Sequence, residues 1–265
     1  ARFSTPMRVL VLSSGGKDSS YATWWSMMRG WDVAGMVTVR ITSSDSMMFQ
    51  VPSTALAGLQ AASAGIPWLP IPISGEEETE MQHLEFALES VIRGSLKQRS
   101  GIWSTNEIES VEWPEGWMWP EGLSRLRPNL PIDALVIGAL RSDYQKTRIE
   151  RMCHRLGIKS FCPLWHHNSI EHMRDLVKHN HKVMMTSVTS DGLDEHWLGR
   201  ILNLENLEEL EQLANKFRFH VDGEGGEFET AVLDAPWMKH PIRTQQTTHW
   251  TGRRGWLDIW AAELV

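Results

Sequence analysis

Near its N-terminus the chain reads Val9-Leu10-Val11-Leu12-Ser13-Ser14-Gly15-Gly16-Lys17-Asp18-Ser19-Ser20. The first four residues are apolar without polar alternation, which is typical of a strand buried on both faces in a parallel sheet. The paired glycines allow a sharp turn that points several backbone N–H groups at one anion, and a helix beginning here favours anions at its N-terminus. The stretch therefore predicts a strand, a phosphate-binding loop and a helix, with Lys17 as a mobile positive charge.

This loop differs from the Walker A motif, G-x-x-x-x-G-K-[ST]. No Gly lies five residues before Gly16, and Asp18 follows Lys17 where the motif needs Ser or Thr. The loop instead resembles the S-G-G-x-D-S loop of the PP-loop ATP pyrophosphatases, and the matching residues are Ser14, Gly15, Gly16, Asp18 and Ser19. The resemblance implies a Rossmann-like domain of the adenine nucleotide alpha hydrolase type, which cleaves ATP between the α and β phosphates to adenylate a substrate. The alternative is an ordinary strand-to-helix turn.

The composition is that of an ordinary globular protein. The 265 residues are 42% hydrophobic and 22% charged, enough to build a core in one large domain or two modest ones. A formal net charge of −7 argues against nucleic acid as a partner. Without a long apolar run or a secretory signal, the protein is expected to be cytoplasmic and not bound to a membrane. Its two cysteines, Cys153 and Cys162, are expected to be buried and reduced.

Strand and helix patterns alternate after the glycine loop. Helical periodicity covers residues 19–29, 53–64, 76–92 and 141–156, and apolar strand patterns cover 33–41, 68–73 and 134–138. Prolines confine the strand at 68–73 to a sheet edge or a short pairing. The alternation predicts a parallel α/β sheet, in which ligands bind at the carboxyl ends of the strands, where Gly15 and Gly138 fall. The acidic residues at 76–78 are expected to start a helix rather than to bind a metal.

Residues 100–131 interrupt this alternation and are expected to form an insertion. They carry four tryptophans among prolines and glycines, namely Trp103, Trp113, Trp117 and Trp119. A long segment without periodicity is often functional. The insertion could form a lid over the nucleotide or a docking surface, or its tryptophans could anchor a surface loop to the domain.

The pattern changes near residue 160, which predicts two domains. A PP-loop ATP-binding domain is expected at residues 1–160 and a smaller α/β substrate-binding domain at 161–265. In the second half, helices are expected at 169–178 and 204–217, and strands at 182–188, 229–234 and 256–261. Five histidines crowd the start of this half, namely His166, His167, His172, His179 and His181. Their spacing lacks H-E-x-x-H or a nearby Asp or Cys, so surface or helix-capping histidines are expected rather than metal ligands.

A second unusual stretch is Asp222-Gly223-Glu224-Gly225-Gly226-Glu227-Phe228-Glu229-Thr230. Glycines let the backbone approach a ligand closely, and carboxylates accept hydrogen bonds from ammonium groups or act as bases. With Gly138-Ala139-Leu140-Arg141-Ser142-Asp143-Tyr144-Gln145 and Arg148-Ile149-Glu150, the stretch resembles the diphthine-ammonia ligase (diphthamide synthetase) family of PP-loop proteins. The similarity runs from Met7 to about Pro236. The chain departs from the family pattern in its longer insertion and in Asp222, which stands where relatives often have Cys.

The resemblance implies amidation of diphthine on translation elongation factor 2. The diphthine carboxylate would attack ATP to give an acyl-adenylate and pyrophosphate, and ammonia would then displace AMP. ATP and Mg²⁺ are the implied cofactors, ammonium is the co-substrate, and the factor bearing diphthine is the partner. The oligomeric state is not predicted.

The resemblance, together with the chemistry and position of the side chains, predicts roles for individual residues. ATP would lie against Ser14, Gly15, Gly16, Lys17, Asp18, Ser19 and Gly138. The catalytic residues would be Lys17, Asp18 and Glu227. Asp18 could orient Mg²⁺ or Lys17, or it could cap the helix. Substrate would contact Ser142, Tyr144, Gln145, Arg148, Glu224, Gly226, Glu227, Glu229 and Thr230.

Some of these assignments have alternatives. Glu224, Glu227 and Glu229 are expected to recognise the trimethylammonium and imidazole groups of diphthine, and one of them could deprotonate ammonium. Strand alternation would place Glu227 and Glu229 on one face. Arg148 could instead be a solvated helix charge.

Two other functions fit the sequence less well. A tRNA-modifying ligase of the same superfamily would favour a basic face and, for thiolation, paired cysteines, and the acidic net charge and the two separated cysteines argue against it. A sensor that only binds ATP would not need the acidic glycine-rich stretch.

Overall fold

The first half of the chain forms a parallel sheet. In the computed structural model, which describes residues 5–41, 53–73, 77–94, 101–103, 113–140 and 142–265, the strands are β1 Arg8–Leu12, β2 Asp32–Ile41, β3 Trp68–Ile73, β4 Ala134–Ile137 and β5 Lys159–Phe161. They lie in the order β3-β2-β1-β4-β5, and each pairing is parallel. The predicted α/β fold with a Rossmann-like parallel sheet is confirmed.

The connecting helices are those that the periodicity predicts, and they are α1 Lys17–Met28, α2 Ser53–Ala64, α3 Glu77–Arg93 and α4 Asp143–Leu156. Glu76, at the predicted start of α3, lies outside the described residues. Strand β3 lies at the sheet edge, where its prolines are tolerated. Strand β5 was not predicted, because three residues are too few to show a pattern. Within the described ranges, none of the helices combines the length and the apolar character needed to cross a bilayer.

The strand order places a crevice beside β1. From β1 the chain continues to β2 and β3 on one side and then returns to β4 on the other side. Such a reversal opens a space at the carboxyl ends of the two central strands. The predicted phosphate-binding loop, residues 13–16, follows β1 and the turn at Gly138 follows β4, so both border this space.

The second half forms an antiparallel sheet of four strands in the order β7-β6-β9-β8. The strands are β6 Lys182–Val188, β7 Phe228–Asp234, β8 Ile242–Trp250 and β9 Gly255–Leu264, and the helices are α5 Ser169–Lys178 and α6 Leu204–Phe217. Strand β8 was not predicted. It is an edge strand with mostly exposed Thr, Gln and His side chains, so it lacks the apolar alternation of a half-buried strand.

The two sheets share a buried apolar cluster. This cluster includes Val9 and Met36 from the first sheet together with Val183 and Val232 from the second. Gln60 adds a buried polar link, because its Nε2 donates to the backbone oxygens of Gly15 at 3.0 Å and of Val232 at 2.7 Å. A domain boundary at residue 160 stays a prediction, since the core is continuous across it.

The described part of the insertion packs onto both sheets. Trp117 is 5% exposed, and its Nε1 donates to the backbone oxygen of Ile259 at 2.9 Å. Trp113 donates to the backbone oxygen of Trp117 at 3.0 Å, and Trp103 donates to that of Trp68 at 3.3 Å. These contacts favour the anchoring interpretation of the tryptophans. Residues 100 and 104–112 of the insertion lie outside the described residues.

Candidate active site

A cavity of ≈ 550 Å³ lies at the carboxyl ends of β1, β2 and β4. The phosphate-binding loop and the start of α1 line it with Ser13, Ser14, Asp18 and Ser19. Strand ends and the turn after β4 contribute Leu12, Val37, Val39, Ile137, Gly138, Ala139 and Leu140. The second half of the chain contributes Leu164, Trp165, His166, His167, Ser169, His172, Asp222, Gly223 and Glu224. Both halves of the chain therefore build one site.

The phosphate-binding loop is held by its own serines. Gly15 has a φ of +83°, and a Cβ there would lie 2.9 Å from Leu56, so the turn requires glycine. The hydroxyls of Ser14 and Ser19 share a hydrogen bond of 2.9 Å, and the Ser14 backbone N–H donates to Ser19 Oγ at 3.0 Å. Ser13 Oγ is buried and has no partner among the described residues. These donors at a helix N-terminus suit a phosphate group.

Gly138 lets β4 approach the start of α1. A Cβ at Gly138 would lie 2.5 Å from the backbone carbonyl atoms of Asp18 and 2.7 Å from the backbone nitrogen of Ser19. Only glycine fits against backbone at such distances. The residue therefore supports the shape of the loop as well as lining the cavity.

Lys17 is buried at the start of α1. Its side chain is 6% exposed, and its Nζ lies 2.9 Å from Asp18 Oδ1 and 5.8 Å from the ring centroid of Phe228. Lys17 does not appear among the residues that line the cavity. The expectation of a mobile charge is therefore wrong, because the ammonium is fixed by a carboxylate and an aromatic ring.

Asp18 is an ionised carboxylate with two partners. Its Oδ1 accepts from Lys17 Nζ at 2.9 Å and from His172 Nε2 at 2.8 Å. Burial opposes its ionisation, but Lys17 and His172 together hold the pKa of Asp18 well below its usual range. Asp18 does not cap α1, because the N-cap residue is Gly16. Of the three predicted roles, the structure shows the contact with Lys17.

The expectation of surface or capping histidines is wrong for His172 and His181. These residues are 2% and 3% exposed and pack against α1. His181 Nδ1 shares a hydrogen bond of 2.9 Å with Ser20 Oγ, and burial lowers its pKa to about 4. Burial also lowers the pKa of His172, although Asp18 favours its charged form. The expectation holds for His179, which is the C-cap residue of α5.

Sequence reasoning missed the cavity residues that precede α5. His166 is exposed, has a φ of +58°, and its ring centroid lies 5.0 Å from that of Trp165. His167 lies 6.0 Å from Tyr21, centroid to centroid. The available signal was an aromatic and histidine cluster at the junction of the two halves, but its spacing fits no known metal motif.

Only two of the three carboxylates in the acidic loop, residues 222–227, line the cavity. Asp222 and Glu224 line it, and Asp222 Oδ1 accepts from the backbone N–H of Glu224 at 3.1 Å. Glu227 instead turns into the loop, where its Oε1 accepts from His220 Nδ1 at 2.8 Å and from the His220 backbone N–H at 3.2 Å. Its Oε2 is buried without a partner among the described residues.

The residues around Glu227 occupy different environments. Glu227 precedes β7, whereas Glu229 lies within β7 and is exposed. The expected shared face of these two carboxylates does not hold, because Glu227 lies in a bend and faces His220. Gly226 accepts from Thr189 Oγ1 at 2.9 Å through its backbone oxygen. Thr230 reaches the phosphate-binding loop, since its Oγ1 accepts from the Lys17 backbone N–H at 3.1 Å.

The predicted substrate residues on α4 lie beside the cavity and do not line it. Ser142 is the N-cap of α4 and accepts from the Gln145 backbone N–H at 3.2 Å. Tyr144 is 58% exposed, and the Arg148 guanidinium lies 5.1 Å from its ring centroid. Arg141 lies outside the described residues. Within this group Tyr144 is exposed, whereas Ser142, Gln145 and Arg148 are partly buried.

The described residues contain no cluster of three or more His, Cys, Asp or Glu side chains that could hold a metal ion. Mg²⁺ bound with a nucleotide needs fewer protein ligands, because it commonly uses one or two carboxylates, phosphate oxygens and water. The ionised Asp18 at the cavity fits this requirement.

Comparison with known proteins identifies the family. The diphthamide synthase N-terminal domain matches residues 7–111 and 117–160, and the diphthamide synthase C-terminal domain matches residues 168–265. Relatives named diphthine--ammonia ligase, from Mus musculus and Homo sapiens, are 29% identical to this chain, and the matches cover 89% of this chain and 82% of each relative.

One solved structure also aligns with most of the chain. It is described as a predicted subunit of tRNA methyltransferase from Methanocaldococcus jannaschii, and it covers 86% of this chain and 99% of its own at 15% identity. Its TM-score of 0.38 is too low to bear on fold or function.

The predicted family and the predicted enzyme class are both confirmed. The relatives are ligases that form a C–N bond, and the two matched domains leave unmatched only residues before 7 and the short segments 112–116 and 161–167. The chain belongs to the diphthamide synthase family.

Proposed function

We propose that this protein amidates diphthine on translation elongation factor 2, using ATP and ammonia, in the cytoplasm where that factor acts. One observation carries the proposal: a single cavity is lined by the phosphate-binding loop, the ionised Asp18 and the acidic residues Asp222 and Glu224. The site can therefore hold a nucleotide and a cationic substrate next to each other.

Two groups of residues that line the cavity suit the two parts of ATP, the base and the phosphates. The apolar residues Leu12, Val37, Val39, Ile137 and Leu140 offer a surface for the adenine base. Ser14, Ser19 and the N-terminus of α1 offer hydrogen-bond donors for the phosphates. We assign Gly15, Gly16 and Gly138 to the backbone that approaches the phosphates.

The proposed reaction has two steps. An oxygen of the diphthine carboxylate attacks the α phosphorus of ATP, and the bond from that phosphorus to the bridging oxygen of the β phosphate breaks. Ammonia then attacks the acyl carbon, the bond to AMP breaks, and the nitrogen releases a proton to a base. A well-placed donor to the charge that develops in such a step is worth about 2.7 to 4 kcal/mol.

Lys17 and Asp18 would act together in the first step. The ammonium of Lys17 is buried and pairs with Asp18, so its charge is fixed in place rather than delivered on a mobile chain. Asp18 would hold Mg²⁺ together with the phosphates of ATP. The metal would supply positive charge to the leaving pyrophosphate.

We assign the cationic part of diphthine to the acidic loop. Glu224 and Asp222 are its cavity-facing carboxylates, and a trimethylammonium group is attracted by carboxylates and by aromatic faces such as Trp165. Glu227 would act through the shape of the loop, because its carboxylate is engaged by His220. The exposed residues Tyr144 and Glu229 and the partly buried Ser142, Gln145 and Arg148, with Gly226 and Thr230, stay proposed contacts or supports for the factor.

A tRNA-thiolating ligase is less compatible with the site. Burial raises the pKa of the Cys153 thiol to about 12, and burial also raises that of Cys162. Cys162 is half-buried, so it departs from the expectation of two buried cysteines. A thiol with a raised pKa is a poor nucleophile.

The test is incubation of the protein with ATP, Mg²⁺, ammonium and elongation factor 2 bearing diphthine. We expect AMP, pyrophosphate and the mass change from carboxylate to amide on the factor. A parallel incubation with unmodified factor should give neither AMP nor a mass change. AMP formed at the same rate without the diphthine-bearing factor would show that another substrate is adenylated.

A further inference from the structure

We propose that His172 is a positioning residue, which holds the Asp18 carboxylate, and with it the Lys17 ammonium, in one orientation at the phosphate-binding loop. The inference rests on the proposed function, because Asp18 is assigned there to ATP and Mg²⁺. It assigns to a residue in the second half of the chain a role at the proposed ATP site, which is built mainly by the first half.

The contact between His172 and Asp18 is short, and its histidine is buried while the Asp18 side chain is 31% exposed. His172 Nε2 lies 2.8 Å from Asp18 Oδ1, and the histidine side chain is 3% exposed. The same oxygen accepts from Lys17 Nζ at 2.9 Å. Two donors from different parts of the chain therefore converge on one oxygen, which restricts rotation of the carboxylate.

The chemistry of the pair fixes the tautomer of His172. An ionised carboxylate only accepts hydrogen bonds, so the proton lies on Nε2 of the imidazole. In the neutral ring Nδ1 is then an acceptor, and this atom is buried with no partner among the described residues. The hydrogen bond to Asp18 is thus the polar contact that orients this ring.

The surroundings of the ring keep it in place. His172 lies in the first turn of α5, where its backbone N–H donates to the Asn168 oxygen at 3.0 Å. Asn168 caps the helix by accepting from the Glu171 backbone N–H. The Tyr21 ring of α1 meets the imidazole edge-on, with centroids 5.0 Å apart. The histidine is therefore built into the helix junction and points at Asp18.

His181 provides a matched control within the same junction. It is also buried and also bonds to α1, but through Nδ1 to Ser20 Oγ, which additionally accepts from Trp237 Nε1 at 2.9 Å. This contact does not involve Asp18 or the cavity lining. A role in packing applies to both histidines, whereas a role in positioning applies only to His172.

The experiment compares amide substitutions at the two histidines. The Gln amide nitrogen reaches the place of histidine Nε2, and the Asn amide nitrogen that of Nδ1. We expect His172→Gln to keep turnover within about threefold of wild type and His172→Asn to lower it about tenfold to a hundredfold, the range for lost outer-shell partners. The Michaelis constant for the factor should change little. His181→Asn and His181→Gln should shift the unfolding temperature and leave turnover unchanged.

Affinity for ATP with Mg²⁺, measured by calorimetry on the same variants without the factor, gives a readout that does not need the reaction. His172→Asn should bind more weakly than His172→Gln. If the wild-type protein binds ATP but does not modify the factor, the proposed function is wrong, but the ATP affinities of the His172 variants can still be compared. Should His172→Asn not fold, His172→Met replaces it, because it keeps the volume and lacks the donor. Equal turnover and affinity in the donor-keeping and donor-lacking variants would overturn the inference, as would equal losses at His181.

Discussion

Thr230 caps helix α1 from the other sheet, since its Oγ1 accepts a hydrogen bond of 3.1 Å from the backbone N–H of Lys17. The N-cap residue Gly16 has no side chain to fill this role. The phosphate-binding loop is therefore complete only when β7 is packed against α1. This contact links the proposed ATP-binding part of the site to the strand that follows the acidic loop.

The first prediction concerns this cap. Thr230→Val removes the hydroxyl, keeps the volume and leaves the Lys17 N–H without its acceptor, which should cost about 1 to 2 kcal/mol of unfolding free energy. Affinity for ATP should fall as well, because the loop loses its support. Guanidinium unfolding and calorimetric titration measure the two effects. Thr230→Ser keeps the acceptor and should stay close to wild type, so equal losses in both variants would contradict the cap.

The second prediction concerns Gly138. Gly138→Ala places a Cβ 2.5 Å from the backbone of Asp18, so β4 and α1 must separate and ATP affinity should fall at least tenfold. Gly157→Ala is a suitable control, because Gly157 has a φ of +72° but no atom within 4 Å of the added Cβ. That variant should lose about 1 kcal/mol of stability and bind ATP normally. Normal ATP binding by Gly138→Ala would show that the approach of β4 is not required.

The third prediction concerns Lys17. Lys17→Met keeps an apolar stem beside Phe228 and removes the ammonium, so AMP formation should fall at least about a hundredfold while the fold survives. The pKa of Asp18 should rise, because its nearest positive partner is lost. Lys216→Met is the control, since Lys216 also lies over a phenylalanine ring, at 5.4 Å from Phe217, but on the exposed end of α6. Full activity of the Lys17→Met variant with a normal fold would show that Lys17 has no role in AMP formation.

The parts of the fold that follow from sequence are those fixed by local burial. Strands β1 and β4 are buried along most of their length, so an apolar run is enough to find them. Strand β8 was not predicted because its extended conformation comes from pairing with the neighbouring β9, whereas its own side chains are mostly polar and exposed. Local periodicity cannot report a pairing that comes from tertiary contact.

The same limit applies to the site. The glycines at 15 and 16 predict a phosphate-binding loop, because the backbone conformation that presents N–H groups to an anion is set by neighbouring residues in the sequence. His172 could not be assigned to it, since its partner Asp18 is 154 positions away. The sequence predicts a role in substrate binding for Glu227 as for Glu224, but which carboxylate faces the cavity depends on the bend before β7 and on His220.

The fourth prediction concerns the Glu227–His220 pair and pH. Burial opposes ionisation of Glu227, yet His220 holds its pKa below the usual 4.5, and Glu227 raises the pKa of His220 above the usual 6.5. The histidine contribution to stability is complete below 6.5 and is lost as pH rises through its raised pKa. The carboxylate contribution is complete above 4.5 and is lost as pH falls through its lowered pKa. Both contributions are therefore present together between these values.

Glu227→Gln should accordingly destabilise the protein most between pH 4.5 and 6.5, by less than about 1 kcal/mol because His220 is largely exposed. His220→Asn should give the same pH dependence, and the double variant should cost no more than either single change, as expected for one shared interaction. Because the pair orders residues 220–227, Glu227→Gln should also raise the Michaelis constant for diphthine-bearing factor more than the dissociation constant for ATP. Additive losses in the double variant would show that Glu227 and His220 do not share one stabilising interaction. Equal changes in the constants for the factor and for ATP would show that Glu227 does not affect substrate binding through the acidic loop.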